Sequence, residues 1–139
     1  MIKLEKKESI YFLTMDAGEN RWNTTFVREI AKALDTIEDD EGPGALITSA
    51  TDSKFFSNGL DLDWMQAPED YPDGGDREVF GEEFMYLMGR FITLPIPTIC
   101  ALNGHTFGAG FMFALSHDFR IMREDRGFIC ANEMQLGLP

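Results

Sequence analysis

Residues 101 to 112 read ALNGHTFGAGFM, and this stretch decides the fold. An apolar, strand-like run closes on Asn103 and Gly104, and the chain resumes as an apolar helix whose first turn holds only Gly108, Ala109 and Gly110. Asn-Gly is a turn signal. A helix start without bulky side chains leaves its first N–H groups open, and a negatively polarised atom fits against them. A second glycine-bearing turn, SNGLDL from Ser57 to Leu62, also follows a strand-like run. Two separate loops that each present a free N–H can converge on one oxygen, with the dipole of a buried helix adding to the site. That is how an oxyanion hole is built, and removing one such donor costs about 3 to 4 kcal/mol in the transition state. The plain structural alternative is a helix packed tightly against a strand and an ordinary turn. Neither loop is a nucleotide loop, because the glycines of the second are spaced G-x-x-x-G-x-G and no Gly-Lys-Ser/Thr occurs.

The chain around these loops reads as one globular α/β domain. Its 139 residues are 44% hydrophobic and 12% aromatic, enough for one core. A formal charge of −12 repels phosphate backbones and anionic lipid heads, which excludes nucleic acid and membrane surfaces as expected partners. An anionic ligand remains compatible, because the global field is screened beyond about 10 Å. Cys100 and Cys130 fall in strand-like runs without paired spacing, so both are expected reduced and buried in an intracellular protein. The N-terminal MIKLEKKESIYFLTM is too short in apolar residues to span a membrane and reads as a first strand, strongest at Ile10 to Met15.

Phe26, Val27, Ile30, Leu34 and Ile37 recur at helical spacing behind Asn23, a candidate N-cap, and Ala45 to Ser49 is a short buried strand. Strand, helix, strand in that order implies parallel pairing with a crossover. Ala67 to Asp76 reads as a mobile loop bordering a cleft, with Asp76 capping a helix that carries the stripe Phe80, Phe84, Leu87 and Phe91. Strands are expected at Thr98 to Leu102, Phe119 to Met122 and Phe128 to Cys130, and a helix buried all round at Phe111 to Leu115. The chain ends in an apparent loop, as a fragment of a longer domain would.

FFSNGLDL resembles the F-x-x-G-x-D-L loop of the crotonase (enoyl-CoA hydratase/isomerase) superfamily. ALNGHTFGAGFMFALSHDFRI resembles its N-G-x-x-x-G-G-G helix start and the A-x-x-x-D-x-R-I that follows, and FICANEMQLGLP resembles the segment with its catalytic glutamate. The resemblance implies a spiral of strand-strand-helix turns, here the N-terminal core of the domain without its C-terminal helices. It implies acyl-CoA thioester substrates, with coenzyme A as part of the substrate and no separate cofactor. The oxyanion amides fall on Leu60 and Ala109; Ser57, Asn58 and Gly59 line the pantetheine and adenine path, and Lys54 or Arg21 approaches the CoA phosphates. Asp61, Leu62, His105, Gly108, Gly110 and Met112 complete the expected substrate surroundings.

Hydratases of the superfamily use two glutamates, and the first would fall on Met112, which cannot shuttle protons. The second position is Glu133. One carboxylate suffices to take a proton from carbon 2 of a 3-enoyl-CoA and return it at carbon 4, with Phe107, Phe111, Met112 and Met134 excluding water. The resemblance therefore points to Δ3-Δ2-enoyl-CoA isomerase in fatty acid β-oxidation, a homotrimer or hexamer, with a peroxisomal location favoured. A hydratase or other thioester enzyme using Glu133 alone, and a non-catalytic acyl-CoA-binding module, are the alternatives. His105 and His117 lack acidic partners at ligand spacing, so no metal site is expected. His117 is expected to cap the end of the apolar helix, Asp61 and Asp118 to hold loops, and Arg120 to pair with one of those aspartates.

Overall fold

The computed structural model describes residues 1–68 and 76–131. The N-terminal segment is a hairpin rather than one strand. β1 (Ile2–Lys7) and β2 (Ile10–Met15) pair antiparallel, and the chain reverses at Glu8, whose φ of 56° lies in the left-handed region. β2 alternates strictly, burying Tyr11, Leu13 and Met15. α1 (Thr24–Glu38) then crosses over to β3 (Ala45–Ala50), which lies parallel to β2 in the register Ile10↔Ala45 to Met15↔Ala50, as the strand-helix-strand order predicts. Asn23 caps α1, its side-chain oxygen accepting the Phe26 N–H at 2.9 Å, and the buried stripe Phe26, Val27, Ile30, Leu34 and Ile37 faces the core.

β4 (Phe55–Ser57) leads to a short helix, α2 (Leu62–Gln66), which the sequence reading does not contain. α3 (Arg77–Thr93) buries Phe84, Leu87, Met88 and Phe91. Asp76 precedes α3 but makes no side-chain cap; its carboxylate instead accepts from Arg28 Nη1 at 2.6 Å, because an arginine of α1 stands closer than the helix amides. Arg90 Nη2 ties α3 to Asp35 and Glu38 of α1 at 2.7 Å each. β5 (Thr98–Leu102), β6 (His105–Phe107), α4 (Ala109–Leu115), β7 (Phe119–Met122) and β8 (Ile129–Cys130) complete the described chain.

Two sheets result. The larger runs β1-β2-β3-β5-β7, parallel apart from the β1-β2 hairpin, and the smaller runs β4-β6-β8, all parallel. Pairs of consecutive strands thus alternate with helices that return the chain, the pattern of a spiral α/β architecture. A single core joins Leu13, Met15, Trp22, Ile30, Leu34, Leu46, Phe56, Phe91 and Phe113, each removed from water and stabilising by about 1.5 to 3 kcal/mol before entropy is counted. Two expectations of burial fail at the end of the chain's described part. α4 buries Gly110, Phe113 and Ala114 but leaves Leu115 53% exposed, because its outer side faces solvent rather than a second layer. Cys130 is exposed on the edge strand β8, whereas Cys100 is buried in β5 between two neighbours. No helix among the described residues is long and apolar enough to cross a membrane.

Candidate active site

The two glycine-bearing loops meet at the β4-β6 pair. Asp52 Oδ1 accepts the Lys54 and Phe55 N–H groups at 2.8 and 2.7 Å, folding a turn into β4, and Asn103 Nδ2 donates to the Asp52 carbonyl at 2.8 Å. Gly104 lies so close to that turn that a Cβ on it would stand 2.3 Å from the Lys54 carbonyl oxygen. Beyond the strands the approach continues. A Cβ on Gly59 would stand 3.0 Å from the Phe107 oxygen and 3.8 Å from the Ala109 nitrogen, and one on Gly110 would stand 2.5 Å from both Ser57 Cβ and Oγ. Larger residues would hold these loops apart.

Leu60 sits in a single parallel bridge opposite Trp22. Trp22 N–H donates to the Gly59 carbonyl at 2.8 Å, and its carbonyl accepts the Asp61 N–H at 2.9 Å. Successive peptide groups of an extended chain point to alternate sides, so the Leu60 N–H faces away from Trp22, and it has no acceptor among the described residues. Ala109 opens α4, and its N–H likewise has no acceptor among the described residues. The residue before each of these amides is a glycine with positive φ, Gly59 at 84° and Gly108 at 50°. Gly108 is further fixed by donating to the Cys130 carbonyl at 2.9 Å. Two adjacent loops therefore each carry one N–H without an acceptor among the described residues, behind a conformation that glycine supplies at low cost.

The other expected site residues divide sharply. Ser57, expected to line the substrate path, is fully buried. Its hydroxyl donates to the Asn20 carbonyl at 2.7 Å and accepts from Trp22 Nε1 at 3.1 Å and from Gly59 N at 3.3 Å, which fills its capacity. Asn58 is half-buried and donates to Glu19 Oε2 at 2.8 Å. Arg21 is engaged by Glu19 at 2.8 Å and by Asp63 at 2.7 Å. Lys54 lies 4.8 Å from the Phe55 ring centroid. Asp61 holds its loop as expected, Oδ1 capping α2 through Trp64 N at 3.2 Å and Oδ2 accepting from Asn23 Nδ2 at 3.2 Å; Leu62 opens α2.

His105 is stacked against Phe107 and Phe128 at 5.2 and 5.4 Å, in an aromatic group on the small sheet. Met112 stands in the first turns of α4 and is 37% exposed. Glu133 and Met134 lie outside the described residues, as does most of the loop expected from Ala67 to Asp76. His117 does hold the end of α4, Nδ1 to the Phe113 carbonyl and Nε2 to Thr48 Oγ1, both at 2.9 Å. A carbonyl only accepts, so Nδ1 carries the proton and Nε2 takes the Thr48 hydroxyl proton. Burial drives this histidine down to about 4, the neighbouring Arg120 acting in the same direction. Arg120 is not paired with either aspartate; its Nη1 donates to the His117 carbonyl at 2.6 Å, because the free carbonyls ending α4 lie within its reach. Asp118 receives Thr98 N–H at 2.8 Å, as a loop anchor should.

Trp22 is the residue that sequence reading misses. Its surroundings, ENRWN, look like turn residues, and only a large aromatic in an otherwise polar turn hints that it is buried.

Parallel strands wound in a spiral, with two glycine-preceded amides at neighbouring strand ends, define the crotonase α/β fold. An enoyl-CoA hydratase structure from Geobacillus kaustophilus HTA426 superposes with a TM-score of 0.87 at 26% identity, covering 99% of this chain and 51% of that one. The family model for enoyl-CoA hydratase/isomerase matches residues 5–139, and the chain belongs to that family. Among similar proteins, the peroxisomal enoyl-CoA delta isomerase 2 of Arabidopsis thaliana is 36% identical over 140 residues, covering 99% of this chain and 58% of that protein. Enoyl-CoA delta isomerase 3 of the same plant is 34% identical, covering all of this chain and 58% of its own length. The chain thus spans somewhat over half the length of these relatives.

Proposed function

We propose that this chain carries the oxyanion site of an enoyl-CoA isomerase that shifts a 3-enoyl-CoA double bond to the 2-trans position. The carrying observation is the pair of amides without an acceptor among the described residues, Leu60 and Ala109, each following a positive-φ glycine on loops that close to within a few ångströms of each other. Removing a proton from carbon 2 of the thioester moves an electron pair toward its carbonyl oxygen, and two fixed donors stabilise the charge developing there. The 3,4 double bond then becomes the 2,3 bond as carbon 4 accepts a proton. Glu133 takes the first proton and returns it, so no net proton is exchanged. Met112 stands where a hydratase would need a second carboxylate, so water is not activated. Similarity to plant delta isomerases supports the isomerase branch, and the peroxisomal names of two of them support that location and a part in fatty acyl-CoA breakdown. Assembly as a homotrimer or hexamer belongs to the same proposal.

The test supplies the complete polypeptide separately with 3-enoyl-CoA and 2-enoyl-CoA. Conversion of the first without hydration of the second is expected, and turnover of only the second refutes the isomerase assignment in favour of a hydratase. Glu133→Gln is expected to abolish conversion; unchanged activity removes the carboxylate from the mechanism, and loss of all turnover in the wild type leaves acyl-CoA binding alone.

A further inference from the structure

We infer that Trp22, acting through Ser57, is the positioning residue that sets the gap between the Leu60 and Ala109 amides, an inference that rests on the enolate-binding role proposed above. Trp22 grips the first loop from three directions. Its main chain binds the residues on both sides of Leu60, and its indole N–H donates to Ser57 Oγ at 3.1 Å. The same indole packs on Phe113 of α4, ring centroids 5.0 Å apart, so one side chain touches both the loop that carries Leu60 and the helix that Ala109 opens. Phe113 in turn stacks on Phe56, the neighbour of Ser57, at 6.4 Å.

Ser57 is the spacer. Its Cβ and Oγ are the atoms that a side chain on Gly110 would strike, so the helix start rests directly on them. Its hydroxyl also accepts the Gly59 N–H, which fixes the peptide immediately before the one that presents the Leu60 amide. Neither Trp22 nor Ser57 has any exposed surface, so neither touches substrate. Without the hydroxyl, the indole and Gly59 N–H groups lose their acceptor, the loop shifts to satisfy them, and the Leu60 amide leaves its aim while Ala109 stays.

The readout is the thioester carbonyl itself. In the complete polypeptide, infrared difference spectra of a saturating acyl-CoA labelled with 13C at the carbonyl report the hydrogen bonds on that oxygen. Wild type is expected to move the band to lower frequency; Ser57→Ala and Trp22→Phe are expected to lose at least half of that displacement and about 10- to 100-fold in kcat with KM nearly unchanged. Circular dichroism identifies folded variants, and Ser57→Ala, the smaller change, serves if Trp22→Phe fails to fold. A folded variant that keeps the full displacement and the wild-type kcat overturns the inference while leaving the proposed function standing. A wild type that shows no displacement overturns the enolate-binding role and this inference with it.

Discussion

His117 offers a quantitative check on the packing that joins α4 to β3. Enclosed between Phe113 and Thr48 and only 3% exposed, it is held neutral, with burial lowering it from 6.5 to about 4. The unfolded chain therefore binds one more proton than the folded chain between those limits. Stability from this group is complete above about pH 6.5 and is lost as pH falls toward 4, which integrates to about 2.5 kcal/mol between about pH 7.5 and 4.5. Urea unfolding at a series of pH values measures it. His117→Asn keeps a donor toward the Phe113 carbonyl but does not titrate, so its stability should fall less steeply over the same interval by about that amount. At neutral pH the variant should also be about 1 to 3 kcal/mol less stable, because the Thr48 hydroxyl loses its acceptor. The carboxylates are common to both chains and cancel in the difference. Parallel stability curves for the two chains would refute the buried, neutral imidazole.

Cys130 is exposed while burial holds the Cys100 thiol far above its usual range, so a thiol-specific reagent should label one cysteine rapidly in the native chain and both after denaturation; two fast thiols would show that β5 opens. Gly104→Ala places a methyl group 2.3 Å from the Lys54 carbonyl oxygen, and because the obstacle is main chain, thermal or urea denaturation should show a loss of about 3 kcal/mol; a loss below 1 kcal/mol would mean that the two loops are not in close contact.

How much of this was legible in the sequence depends on where each element lies. Thr98 to Leu102 and Phe119 to Met122 appear at the bounds their apolar runs predict, and α1 follows the period of Phe26 to Ile37 behind its Asn23 cap. Local signals suffice for Thr98 to Leu102 and α1 because one face is buried, and for Phe119 to Met122 because the apolar run has marked ends. The hairpin at Glu8 was not legible: β1 is a largely exposed edge whose lysines and glutamates show no sustained alternation, and only pairing with β2 defines it. The exposures of Leu115 and Cys130 were misread for the complementary reason, since apolar character says nothing about whether a covering layer is present. At the site, the glycine-bearing loops are visible in the sequence itself, whereas the choice of the Leu60 and Ala109 amides rests on the family resemblance. Trp22 was not legible, since its importance comes from meeting Ser57 and Phe113 across 35 and more residues of chain. The pairing of Arg21 with Asp63 was equally illegible, since 42 residues of chain separate the two.

Strand order has a consequence for biosynthesis. Along both sheets, spatial neighbours follow one another in the order of translation, β1-β2-β3-β5-β7 in one and β4-β6-β8 in the other. A parallel architecture with long crossovers ordinarily folds slowly, since distant segments must find each other. Here each later strand of a sheet meets an edge that has already left the ribosome, so the search reduces to adding one rung at a time. The same vectorial growth leaves the newest rung bare at each stage, until the next strand of its sheet is added.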